Sequence, residues 1–216
     1  MSLISDSDLT ELFKQKDIYL DNDFLCRLSK DPELFLDFSK FITNDNSLKI
    51  DLLTEFEFKR DIYNTKQLKL IEYFLSKKLF HFPKDSSEIL EKIKINAIIL
   101  SKIYKIKNNQ NFQTDNKKQL KRQKGPSIAD FFLGGRLMID YENKLLITGN
   151  KKDFPHYIFN INHILNTEDP LNGKIYHFFI LSFNREKFDI CFNKLNKING
   201  EEINPLKINR SNLEKI

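Results

Sequence analysis

The chain is poor in glycine and proline, with six of each in 216 residues, too few for a collagen-like or linker-like protein. It has two cysteines, Cys26 and Cys191, which cannot build a disulfide framework and fit a reducing compartment as buried thiols. No apolar run approaches the ~18 residues that a membrane span needs. The stretch Met1–Asp17 is amphipathic and acidic, without the basic and apolar regions of a signal peptide. A cytoplasmic protein with no membrane association is the expectation. Neither GxxxxGK(S/T) nor GxGxxG occurs, so a P-loop or a dinucleotide fold lacks its signature. His81, His156, His163 and His177 have no ligand-like spacing, and Cys26 has no CxxC partner, which argues against zinc. There is no internal repeat and no Pro- or Ser-rich linker.

What the chain does have is apolar material: 40% hydrophobic residues, 20 of them Phe, enough to fill a core. One domain over residues 1–195 is expected, followed by a polar tail at 196–216. The charge is unevenly placed. Lys107, Lys117, Lys118, Lys121, Arg122 and Lys124 face only Asp115 within 107–124, and this segment accounts for the whole formal net charge of +5. Rich in Asn, Gln and Lys, it reads as a long surface loop. Its cations are either solvated or hold phosphates.

Strand and helix signals alternate along the rest. Asp17–Leu20 is a short apolar run, and helical spacing follows from Asn22 and again from Pro32 to Ile42. Leu48–Leu53 and Lys78–Phe82 read as strands, with helices from Glu55, over Gln67–Ser76 and over Ser86–Tyr104. Beyond the basic segment come a helix at Ile128–Ile139, a strand at Lys144–Thr148, extended stretches at Ile158–Leu165 and Lys174–Phe183, and a helix near Arg185–Leu195. This alternation predicts an α/β fold with a largely parallel sheet, whose ligands bind beyond the carboxyl ends of the strands.

Four acids fall at that edge. Asp21 follows the first strand, Glu57 sits in the first turn after the second, Asp130 opens a helix, and Asp153 follows Lys144–Thr148. Each has a local alternative. Asp21 suits an N-cap, Thr54 with Glu57 and Ser127 with Asp130 suit capping boxes, and Asp153 suits a turn before Pro155. Gathered together, carboxylates repel, so they take up protons or bind a cation. An all-oxygen set suits Mg²⁺ or Mn²⁺. Asp23 is either part of this group or a surface residue of the helix. Phe154, Phe178, Phe179 and Phe183 read as core.

Four blocks carry a family resemblance: Ile18-Tyr19-Leu20-Asp21-Asn22-Asp23-Phe24-Leu25, Glu57-Phe58-Lys59-Arg60, Ser127-Ile128-Ala129-Asp130-Phe131-Phe132-Leu133-Gly134, and Leu145-Leu146-Ile147-Thr148-Gly149-Asn150-Lys151-Lys152-Asp153-Phe154-Pro155. In this order the chain resembles the PIN-domain ribonucleases, among them the toxins of bacterial toxin–antitoxin pairs. It differs at Gly149, where a larger residue is usual, at Gly134-Gly135, which replaces a more helix-favouring pair, and in the longer, more basic 107–124 segment. The resemblance implies a three-layer α/β/α domain and a metal-dependent endoribonuclease that hydrolyses RNA by in-line attack of water. Asp21, Glu57, Asp130 and Asp153 would hold Mg²⁺ or Mn²⁺, with Asp21 and Asp130 as direct ligands. Thr148 and Asn150 would orient them by hydrogen bonds. A cognate antitoxin and a homodimer are further expectations of that kind. The alternative from another class is a catalytically silent module that binds RNA or protein. A phosphohydrolase using Asp21 as phosphoryl acceptor fits Glu57 and the 148–155 block less well.

Overall fold

Ile18, Tyr19 and Leu20 are all buried, and a strand covered on both faces demands such a continuous apolar run. In chain order the elements are α1 (Asp6–Phe13), β1 (Asp17–Leu20), α2 (Asn22–Lys30), α3 (Pro32–Ser39), β2 (Ser47–Lys49), α4 (Leu52–Arg60), α5 (Thr65–Leu75), β3 (Phe80–His81), α6 (Ser87–Thr114), α7 (Ile128–Leu137), β4 (Lys144–Thr148), β5 (Phe159–Glu168), β6 (Ile175–Phe183) and α8 (Arg185–Asn199). The computed structural model describes residues 6–60, 62, 64–114 and 125–199. Lys117, Lys118, Lys121, Arg122 and Lys124 lie outside the described residues, as does the tail from residue 200.

The six strands form one sheet in the order β3-β2-β1-β4-β6-β5. β3, β2, β1 and β4 run parallel, and β6 and β5 close that side as an antiparallel hairpin. Helices cover both faces, so the molecule is a three-layer α/β/α domain with a mostly parallel sheet. Alternate residues of each strand feed opposite cores. Ile18, Leu20, Leu48, Leu145 and Ile147 join Leu9, Phe13, Phe24, Phe38 and Phe58 from α1 to α4. Tyr19, Leu146, Leu181 and Phe183 join Ile103, Leu133, Leu137 and Phe188 from α6, α7 and α8 on the other face. Among the described residues no helix is long and apolar enough to cross a membrane.

Several expected boundaries move. β2 stops at Lys49 and α4 begins at Leu52, because Asp51 Oδ1 accepts the Leu53 N–H at 3.0 Å and starts the helix. Thr54, expected to cap with Glu57, is instead buried inside α4. α6 continues through Thr114, so the first eight residues of the expected basic loop are helical. α8 runs to Asn199, past the expected start of the tail.

α7 approaches α6 unusually closely. A Cβ at Gly135 would lie 2.7 Å from the Ile93 carbonyl oxygen and 2.9 Å from the Ala97 nitrogen, so only glycine fits against that backbone. One residue on, Arg136 donates through Nε to Asp51 (2.5 Å) and through its terminal nitrogens to both oxygens of Asp85 (2.9 and 2.5 Å). All three side chains are almost fully buried. This triad ties α7 to the start of α4 and to the segment preceding α6.

Candidate active site

β1 and β4 lie side by side with Leu20 opposite Ile147, so the next residues, Asp21 and Thr148, emerge together at the carboxyl edge. The Asp21 N–H donates to the Ile147 carbonyl at 3.0 Å. Its side chain then serves two neighbours. Oδ1 accepts the Asn22 N–H at 2.7 Å and caps α2, while Oδ2 accepts the Thr148 hydroxyl at 2.7 Å. Thr148 Oγ1 accepts the Asn150 N–H at 3.0 Å, and Asn150 Nδ2 donates to Asp153 at 2.5 Å. One chain of hydrogen bonds thus runs from Asp21 to Asp153.

Asp130 occupies the first turn of α7. Its carboxylate accepts the Ser127 N–H at 2.6 Å, and the Ser127 hydroxyl accepts the Asp130 N–H at 3.2 Å, completing a capping box. The helix start therefore sets the position of Asp130. Asp23 belongs to the same group. Its Oδ2 accepts the Gly149 N–H at 2.8 Å. A Cβ at residue 149 would stand 2.6 Å from that oxygen, which is why glycine occupies the position. An acid two residues past a strand, read together with a glycine at the end of the adjoining strand, is the signal that would have placed Asp23.

These carboxylates act on one another electrostatically. Burial, then the charges of Asp23 and Asp130, push the Asp21 carboxyl up to about 8 against the pull of the Thr148 and Asn22 hydrogen bonds. Burial also raises Asp23, with Asp130 adding to it and the Gly149 and Phe24 amides opposing. Asp153 rises to about 6 through burial, Asp130 and Asp23. Glu57 does not sit in a first turn: it is the sixth residue of α4, half-buried, on a helix that packs against α2 and α7. The structure thus brings together Asp21, Asp23, Asp130, Asp153, Thr148 and Asn150.

A stability profile follows from these shifts. Asp21 has an ordinary value of 3.8 and rises to about 8 in the fold, so between those limits the native state holds more protons than the unfolded chain. Stability contributed by this group must fall as pH climbs from about 4 to about 8, and then level off. In chelator, the advantage of Asp21→Asn over wild type is expected to grow from pH 5 to pH 8, measured by urea unfolding. An advantage that is constant across that range would contradict a raised Asp21.

The donor set is entirely oxygen, from carboxylates that repel one another, and this fits a hard divalent cation better than zinc or copper. Among the described residues, no three His, Cys, Asp or Glu side chains already stand close enough to hold an ion. Asp130 and Asp153 are each turned to a local donor, and Asp23 to the amide of Gly149 on the adjoining chain segment. No family model matches the chain, and neither the curated proteins nor the solved structures contain a match.

Proposed function

We propose that the protein is a metal-dependent endoribonuclease of the PIN-domain kind. The observation that carries this reading is the convergence of four mutually repelling aspartates, one of them almost fully buried, where β1 and β4 end together. Burying like charges is costly unless a cation or protons offset them, and a protein that only binds RNA gains nothing from acids near a phosphate. Asp21 and Asp130 would hold Mg²⁺ or Mn²⁺ directly, with Asp153 and Asp23 as the remaining carboxylates. When bound, the cation activates water and neutralises charge on the phosphate during in-line hydrolysis.

The residues of the chain have separate tasks. Thr148 fixes the orientation of Asp21 through its hydroxyl, and Asn150 does the same for Asp153. Ser127 holds Asp130 at the helix start. Lys151 and Lys152 stand on the loop between Thr148 and Asp153, where they favour a polyanion at an otherwise acidic edge.

Titrating Mg²⁺ and Mn²⁺ against a mixture of single-stranded and structured RNA tests the reading. Cleavage is expected in the low-millimolar range and not in chelator. The same ions should raise the melting temperature of wild type but not of Asp21→Asn/Asp130→Asn, because an ion bound to the native state stabilises it. RNA that is bound yet intact at every concentration of both ions would overturn catalysis in favour of the silent binding module.

A further inference from the structure

The two outer strands of the sheet are unequal. β3 ends it on one side with two residues, whereas β5 ends it on the other with ten. Among the described residues, the backbone groups of residues 160–167 bond to β6 alone. An edge of free N–H and C=O groups this long is a template for another strand, and proteins commonly guard it with Lys, Pro or an inward-pointing charge. Residues 159–167 contain no Pro, Lys, Arg, Asp or Glu. The one guarding device is the bulge at 161–163, and it also gathers apolar surface. Ile161 lies opposite Leu181 and Ile164 opposite Phe179, which are two residues apart on β6, so the added residue turns both isoleucines to one face. Each of them is 45% exposed.

We propose that the open edge of β5 pairs with β5 of a second copy of this chain, antiparallel about a twofold axis perpendicular to the sheet, so that two six-stranded sheets become one. The inference does not depend on the nuclease reading. Its first support is that each copy has a single long open edge, and β5 against β5 closes both at once. Pairing β5 with β3 would engage two residues and leave an unclosed row of molecules. The second is charge. A strand without ammonium groups, whose only carboxylate is Glu168 at its end, meets its own copy without repulsion. The third is register. Past the bulge the strand is regular from His163 to Glu168, which centres the axis on Leu165 or on a residue beside it. Any of these axes brings the exposed Ile164 of one copy close to the Ile164 of the other, by direct or diagonal pairing. The axis also reverses strand direction, so the two acidic edges open on opposite sides and share no residue. A contact of one strand a side falls at the low end of specific interfaces, near or below about 1,200 Å², which makes the dimer weak and concentration-dependent.

The test uses the full chain without RNA or divalent metal, so its outcome is separate from that of the nuclease assay. Sedimentation velocity under reducing conditions, from about 1 to 500 µM, should show a monomer passing into a dimer with a micromolar Kd. Ile164→Lys places two ammonium groups close to the axis and should weaken the dimer at least about tenfold, with an unchanged melting temperature. The double variant Ile164→Cys/Asn166→Cys reads the geometry. Opposite residues of an antiparallel pair have Cα atoms about 4.5–5.5 Å apart, within reach of a disulfide, and one of the two cysteines finds a partner whichever of the three axes holds. Mild oxidation should therefore link this variant into covalent dimers. Wild type, with Cys26 and Cys191, and Leu36→Cys, whose site on α3 is 61% exposed, should stay unlinked. A monomer at every concentration would overturn the proposal. So would a dimer that Ile164→Lys leaves intact and that links no faster through residues 164 and 166 than through residue 36. If Ile164→Lys does not fold, the cysteine variants still decide.

Discussion

Asp130→Asn is expected to lower RNA cleavage by at least about a hundredfold. Loss of a group that merely orients a metal ligand costs roughly 10- to 100-fold, and in the proposed reading Asp130 would hold the cation itself. The substitution keeps the shape of the side chain and an oxygen that can accept the Ser127 N–H, so the capping box and the start of α7 survive. Only the charge is removed. That charge now pushes up Asp21, Asp23 and Asp153, so without divalent ions the variant should melt no lower than wild type. Low activity and unaltered folding together identify a chemical role. Cleavage at the wild-type rate with saturating Mg²⁺ would remove Asp130 from the site.

The largest expected effect on stability lies away from the acids, at Arg136. Arg136→Leu would leave Asp51 without its ion-pair partner and Asp85 with only the charge of Lys144 nearby, and breaking a buried ion pair in this way costs about 3–5 kcal/mol. The Arg136 hydrogen bonds lower the affinity of Asp85 for protons, and that effect would vanish with the guanidinium. Asp51 also accepts the Leu53 N–H, so a disturbance there reaches the first turn of α4. Urea unfolding at neutral pH is the measurement. The triple variant Arg136→Leu/Asp51→Asn/Asp85→Asn should recover much of the loss, since no orphaned charge remains. A single-variant loss below about 1 kcal/mol, the range of an exposed pair, would mean that the triad is solvated.

The parts of the fold that were legible in the sequence are those where an apolar run coincides with one element. Asp17–Leu20 and Lys144–Thr148 are strands with the bounds the sequence suggests, because each run is buried on both faces and ends at a polar turn or cap. β2 was read too long because apolar character continues through Ile50, Leu52 and Leu53 across the strand–helix junction, although Leu52 is 74% exposed on α4. The end of α6 was hidden for the opposite reason. Its Asn-, Gln- and Lys-rich composition resembles a loop, while the turns before it already hold the helix axis. The bulge at residues 161–163 of β5 changes which face its side chains take, and period-two patterning cannot register an added residue.

Much the same holds at the acidic edge. Asp21 and Asp153 were found by a rule about strand ends, which also picked Glu57, and Asp130 by its place at a helix start, with the Ser127–Asp130 box read from spacing alone. Asp23 needed a distant partner, Gly149, whose missing side chain makes room for its carboxylate. The Arg136–Asp51–Asp85 triad has no local signature. Its members come from three segments, and only the assembled sheet and the α6–α7 crossing bring them into one place.

The position of β1 has a consequence for the protein's own synthesis. On one side β1 pairs with β2, made soon afterwards, and on the other with β4, whose Thr148 is added 127 residues after Asp21. Until then a growing chain carries β1 with one edge open, and Asp21 and Asp23 with neither the hydroxyl of Thr148 nor the amide of Gly149 to hold them. Bringing such distant segments together is the slow part of assembly. Asp153 reaches the same edge only after β4. A nascent chain, or a fragment released before β4, holds Asp21, Asp23 and Asp130 with no means of aligning them. If cutting RNA is its work, the growing chain has no aligned acids to turn on its own message until β4 is made.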